Sequence, residues 1–306
     1  MLLPRFMCFE GLFARDARVQ FYEVGYDYKP RESSFANVNS NDVVFIVNYH
    51  GYSCLPGLST RQDLCSSGVT VVIDNTHSYG LHYQDAQILL ENESTVTSYI
   101  KSLPIPLGSE LIMHKSSQLV EPRISEKICG PALSWLSMRS VAYFCKENFW
   151  VSREHSAKGL ADNQYSSTRV DRKLALTGRK QRWLVSRWLQ HIDFEGLNAQ
   201  RENCYSQVLR CLGYECSLEK ILHSPVPTDV PLFLAGESES SELEQRLRSL
   251  GTGVYRWPQL SIEYAGKEEI KRKARTLLFP TTSLINSSVL EVLARFRPRV
   301  PMMGSE

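Results

Sequence analysis

What this chain of 306 residues lacks narrows its function first. Its eight cysteines contain no C-x-x-C pair and no histidine stands at ligand spacing from them, which argues against a zinc site, so no metal is expected. Unpaired thiols of this kind suit a reducing cytosol, and a cytoplasmic protein is the expectation. Neither charge sign is in excess: 35 basic residues face 33 acidic ones, for a net charge of +2. That balance gives no electrostatic case for nucleic acid or an anionic membrane as partner. The one basic cluster, Lys267–Arg275, carries two glutamates and spaced apolar positions, as a solvated helix face does. No apolar run approaches the roughly 18 residues of a membrane span. The opening MLLPRFMCFEGLFARDARVQ is broken by Pro4 and Arg5 and has no basic leader, so it does not read as a signal peptide. There is no internal repeat.

What the chain does contain is an α/β pattern. VVFIV (43–47) and VTVVI (69–73) are short β-branched runs ended by polar residues, as in strands covered on both faces. The residues between them suffice for a right-handed crossover connection. VQFYEV (19–24) and SELIM (109–113) are further strand candidates, and 131–147 reads as a helix. Together they predict a doubly wound, mostly parallel sheet, with residues 1–150 as a large α/β domain. Residues 151–178 are polar, poor in large aliphatics and read as a loop or linker. Residues 179–306 read as a smaller α+β domain. RKQRWLVSRWLQ and AQRENCYSQVLRCLG are amphipathic, the second closed by Gly213. VPLFLAG (230–236) and GVYRW (253–257) read as strands. Ser241 to Glu244 reads as a capping box opening a helix, with Leu243, Leu247 and Leu250 as its apolar stripe and Gly251 as its stop. In a later helix Glu268–Arg272 and Glu269–Lys273 are spaced as i,i+4 pairs.

In open parallel sheets, ligands bind beyond the carboxyl ends of the strands. Here VVFIV runs into Asn48, Tyr49, His50 and Gly51, and VTVVI runs into Asp74, Asn75, Thr76 and His77. Ser98-Tyr99-Ile100-Lys101 follows, before a Pro-rich bend, PIPLG. Singly these residues are ordinary: a lone lysine is a surface residue, and a strand-end aspartate caps a helix as often as it does chemistry. As a set they match the needs of pyridoxal phosphate (PLP), which takes a lysine amine as a Schiff base and a carboxylate at its pyridine nitrogen.

VTVVIDNTHS followed by SYIKSLPIPLG resembles the core of the DegT/DnrJ/EryC1/StrS aminotransferases, fold-type I PLP enzymes. LLPRFMCFEGLFARDARVQFYEV, GVYRWPQLS and RTLLFPTTS resemble outer segments of the same family. The resemblance implies a PLP-transferase-like large domain over 1–150 and the family's small domain over 179–306. It implies that Asp74 binds the pyridine nitrogen, His77 lies near the ring hydroxyl, Ser98 contacts the phosphate, and Lys101 holds the cofactor and then shuttles a proton. A lysine rather than a histidine at 101 favours transamination over sugar dehydration. The implied substrates are a nucleotide-linked keto-sugar and an amino-acid donor, in polysaccharide or secondary-metabolite biosynthesis, and the implied assembly is a homodimer. The family's phosphate-binding turn normally precedes the strand in which Met1 to Pro4 fall, so that segment is expected to be missing. The aromatic that often stacks on the ring falls near Cys8, with Phe6 and Phe9 beside it. Two readings follow: an aminotransferase, or a catalytically impaired homologue or non-catalytic partner of a complete paralogue.

Overall fold

The computed structural model describes residues 1–8, 18–77, 89–99, 109–114, 187, 189–214, 227–258, 260, 264–283 and 285–300. The expected helix at 131–147 and loop at 151–178 lie outside them, as does Lys101. By contact density Met1–Thr97, Leu111–Ser117 and Glu195–Glu306 form one unit, and Ser98–Glu110 with Gln118–Phe194 a second.

The first unit is built on a mostly parallel sheet. Its strands are β1 (Leu2–Pro4), β2 (Gln20–Tyr22), β3 (Val43–Val47), β4 (Thr70–Asp74), β5 (Glu93–Ser98) and β6 (Ser109–Met113). Their order is β2-β1-β3-β4-β5-β6, with β1 parallel to both β2 and β3, and β4 parallel to both β3 and β5. The β-branched runs seen in the sequence are the two central strands. Val44 and Ile46 of β3 and Val71 and Ile73 of β4 lie two residues apart on one face and are buried, while Val43, Phe45, Thr70 and Val72 on the other face are only part-covered, so the expected full cover of both faces is met on one face alone. Helix α1 (Leu58–Ser66) makes the crossover between them and stops at Gly68, whose φ of +72° glycine adopts without strain. Arg61 of α1 forms a buried fork with Glu93 at the start of β5, through Nε to Oε1 at 2.8 Å and Nη2 to Oε2.

The remainder of this unit comes from the last third of the chain. Helix α2 (Phe194–Cys211) ends at Gly213, φ +82°, as the sequence predicts. Strands β7 (Asp229–Phe233) and β8 (Thr276–Pro280) pair antiparallel, with Leu232 opposite Leu277. Helices α3 (Glu237–Ser249), α4 (Lys267–Arg275) and α5 (Ser287–Phe296) accompany them. The core here is Tyr205, Val208 and Leu209 of α2 with Val230, Leu232, Leu243, Leu247, Leu277, Phe279, Val289 and Leu293. In the second unit, Tyr99 Oη donates to Glu110 Oε2 at 2.7 Å.

Three expectations are corrected here. α3 opens at Glu237 behind an extended Gly236, not at Ser241. Glu237 and Glu239 favour the positive helix start, and Glu239 Oε2 accepts from Ala235 N. Ser241 and Glu244 instead engage Arg256, at 3.2 and 2.8 Å. The run 253–257 makes only a bridge, Tyr255 to Leu278, because Arg256 turns back to α3 and to the carbonyl of Ala274. Arg272 of α4 leaves the solvated face on which its spacing from Glu268 puts it. It is buried over the rings of Tyr28 and Phe6, at 4.1 and 4.4 Å, and donates to the carbonyls of Gly25, Val24 and Tyr26.

Removing one member of a buried ion pair leaves the other charge uncompensated. Glu93→Ala should therefore lower the unfolding free energy by about 3–5 kcal/mol, and an apolar replacement of both Glu93 and Arg61 by clearly less. Denaturant titrations of the single and double variants check this.

Candidate active site at the carboxyl ends of the parallel strands

Register brings the ends of β3 and β4 level. Val47 pairs with Asp74, and Asn48 N donates to the Asp74 carbonyl at 3.0 Å. Two buried amides lock the edge. Asn48 Nδ2 donates to Asn75 Oδ1, Asn75 Nδ2 donates to Thr95 Oγ1 at 3.2 Å, and Asn48 Oδ1 accepts from Cys54 N at 2.8 Å. Buried polar groups of this kind are stable only when paired, so the network dictates how the three strand ends align.

Asp74 closes β4 and is half-buried. Its Oδ1 accepts from Thr76 N at 2.8 Å, an Asx turn that fixes the plane of the carboxylate. His77, three residues on, is buried, with its ring 4.8 Å from that of Trp257. Ser98 is the last residue of β5. Lys101 and Phe9 lie outside the described residues. Phe6, named from sequence as a neighbour of the ring-stacking position, is fully buried among Tyr28, Tyr49 and Trp257, and Tyr49 Oη donates to its carbonyl at 2.7 Å. Cys8 is half-buried and its thiol is free.

His50 is the residue whose role the sequence understates. It follows β3 in a single 3₁₀ turn, Tyr49–Gly51, with φ at +57°. A non-glycine residue held there stores about 1–3 kcal/mol of strain, and such strain collects at functional sites. Tyr28, also at positive φ (64°), stands edge-on to the His50 ring at 5.0 Å. His50 is fully buried, and neither ring nitrogen has a hydrogen-bond partner.

The turn is held by residues from the start of β7. Gly51 has φ +94°, and a side chain there would meet Pro227 Cα at 2.9 Å, Thr228 N at 3.0 Å and the His77 carbonyl at 3.1 Å, so only glycine fits. Thr228 N donates to the His50 carbonyl at 2.9 Å. Thr228 Oγ1 lies 3.2 Å from the same carbonyl, 3.0 Å from that of His77 and 2.9 Å from Asp229 Oδ2. Asp229 is buried, and Tyr255 is hydrogen-bonded to it. One ligand atom from each of His50, His77 and Asp229 lies within 4.8 Å of the others. Asp229 carries no usable sequence signal, since an aspartate before a strand reads as a turn residue.

Burial dominates the electrostatics. It pushes the His50 pKa down from 6.5 to about 3, aided by the Arg272 charge, so the ring is neutral at physiological pH. Burial, then the Asp229 carboxylate, raises the Tyr255 hydroxyl. The Cys54 thiol is pushed up to about 12 by burial and is inert as a nucleophile. Because folding lowers the His50 pKa, its contribution to stability is fully present above about pH 6.5. It is lost as pH falls from there toward about 3, since only the unfolded chain then takes up the proton. His50→Phe should flatten the decline of unfolding free energy over that interval, measured by denaturant titration at stepped pH.

No family model and no curated protein matches the sequence. Solved structures do match the fold. PseC of Helicobacter pylori, an aminotransferase involved in the biosynthesis of pseudoaminic acid, matches over 97% of this chain and 78% of its own, at 11% identity and TM-score 0.52. A DegT DnrJ EryC1 StrS aminotransferase from Brucella abortus matches over 97% and 78%, at 10% identity and TM-score 0.51. Spr1654 of Streptococcus pneumoniae, named for sugar aminotransferase activity and solved in its PMP form, matches over 98% and 81%, at 7% identity and TM-score 0.52. These are neighbours of the kind to which the sequence motifs point. At such identities the likeness concerns architecture: the chain has the fold of the fold-type I PLP aminotransferases.

Proposed function

We propose that this protein is a PLP-dependent aminotransferase of the DegT/DnrJ/EryC1/StrS kind, acting on a nucleotide-linked keto-sugar with an amino-acid donor, in the cytoplasm and as a homodimer. The observation that carries the reading is the Asp74 carboxylate, half-buried at the carboxyl end of a central parallel strand and fixed by Thr76 N. Its other oxygen, Oδ2, has no bond among the described residues, which fits an acceptor waiting for a protonated pyridine nitrogen. The Ser-x-x-Lys motif that follows β5 and the fold shared with sugar aminotransferases support the same reading.

When bound, PLP supplies a ring that takes up the negative charge left as a proton departs from the substrate carbon. The chain's own residues have four tasks in this reading. Asp74 keeps the proton on the ring nitrogen through a charge-assisted hydrogen bond. His77 orients the ring near its hydroxyl, and the Ser98 hydroxyl takes a phosphate oxygen. Lys101 Nζ would hold the cofactor and then shuttle a proton between the substrate carbon and the cofactor.

Borohydride reduction of the PLP-treated chain, followed by peptide mapping, should place a phosphopyridoxyl label on Lys101. Lys101→Ala should lose the label. Asp74→Asn should keep part of the binding but lower turnover by at least about 10²-fold, the low end of general acid–base contributions. A folded chain that takes no label points instead to the impaired homologue or the non-catalytic partner.

A further inference from the structure

We propose that His50, His77 and Asp229 form a binding site for a divalent first-row transition metal of the zinc class. The site goes beyond the cofactor reading, and its residues come from three places that the sequence does not associate: the turn after β3, the loop after β4 and the first residue of β7.

The donor set comes first. Two imidazoles and one carboxylate suit zinc and its imidazole-preferring neighbours, and disfavour magnesium or calcium, which take oxygen. All three residues are buried, and their ligand atoms lie within 4.8 Å of one another. Around a tetrahedral zinc with bonds of about 2.0–2.1 Å, donor atoms stand about 3.3 Å apart. Small rotations of the rings, 5.8 Å apart between centroids and nearly perpendicular, close that gap. Three protein ligands leave a fourth position for water or a small ligand.

His50 supplies the second, independent observation. Its ring is fully buried without a partner for either nitrogen. Leaving both nitrogens buried and unpaired is unfavourable, and the φ of +57° adds strain to placing the ring there. A ring kept only to fill space needs no nitrogen; a ring kept as a ligand does.

The Asp229 carboxylate has outer partners, although the Arg272 charge that bears on His50 works against a cation. Thr228 has one hydroxyl hydrogen, yet three acceptors converge on its oxygen: the carbonyls of His50 and His77 and the carboxylate of Asp229. Tyr255 is bonded to the same carboxylate. Outer partners of this kind orient ligating carboxylates and tune their basicity. Trp257 walls the site, 4.8 Å from the His77 ring and 5.6 Å from that of His50, and keeps the ligands from water. The Gly51 contacts hold the His50 turn against Thr228 whether or not a metal is present. His77 also belongs to the cofactor reading, so a metal at this cluster competes with PLP for that ring.

Cobalt(II) titration of the full-length, chelator-treated chain, with PLP omitted, tests the site. The visible d–d bands report coordination number, and zinc displacement reports the shared site. The expected result is one saturable equivalent with intense four-coordinate bands, abolished by zinc. Asp229→Asn, close in shape to the native residue, and His50→Ala should each weaken binding by more than the roughly 10–100-fold typical of losing an outer partner. Thr228→Val should weaken it less, and exposed His191→Ala should leave it unchanged. Circular dichroism confirms that each variant is folded. No saturable binding by the unsubstituted chain, or binding that survives both Asp229→Asn and His50→Ala, would overturn the assignment. Because PLP is absent, failure of the chain to take up PLP leaves this result unaffected.

Discussion

The close approach of the β7 start to the ends of β3 and β4 is the constraint on which the rest of this unit depends. It requires Gly51, since a Cβ there would lie 2.9 Å from Pro227 Cα. It is secured by Thr228, which reaches both histidine carbonyls through one amide and one hydroxyl. With the gap closed, the strand ends and the first residue of the β7–β8 sheet share one edge. Loosening this seam would separate Asp229 from the histidines and draw Trp257 away from both rings.

Chemical consequences follow from the same closure. Asp74 stays half-buried, so its carboxylate remains accessible at the strand end where ligands of such sheets bind. His50, a few residues from the same edge, is sealed completely and kept neutral. One edge therefore carries two environments: a half-buried carboxylate fixed by Thr76 N, and two buried imidazoles beside the buried Asp229 carboxylate. Arg272 supports the arrangement from below. Its guanidinium fastens α4 to the carbonyls after β2 and to the rings of Phe6 and Tyr28, and Tyr28 in turn abuts His50.

Much of this was legible in the sequence wherever burial alone decides the residue type. VVFIV and the run ending at Asp74 are β-branched and form the central strands, with Val44, Ile46, Val71 and Ile73 on the buried face. Gly213 and Gly68 mark helix ends because positive φ favours glycine. Signals failed where a distant partner outcompeted a local one. Ser241 and Glu244 fit a capping box, yet Arg256 recruits both, and the helix starts earlier. Arg272 fits an i,i+4 pair with Glu268, yet three carbonyls and two rings offer it more. The His50, His77 and Asp229 cluster escaped the spacing rules for metal sites because its members meet only through tertiary structure. Asp74, His77 and Ser98 were legible as residues at or just beyond strand ends, and the cofactor role proposed for them rests on resemblance.

Native-state hydrogen exchange on β4 and β8 tests most directly whether the seam makes one cooperative body of the larger sheet and the β7–β8 pair. The amides of Val71 to Ile73 and of Leu277 to Phe279 should open with the same free energy. Thr228→Val, which removes the shared hydroxyl, should lower both by the same amount, about 1–3 kcal/mol. Opening of the two strands at different free energies, with the substitution felt in only one of them, would contradict the account.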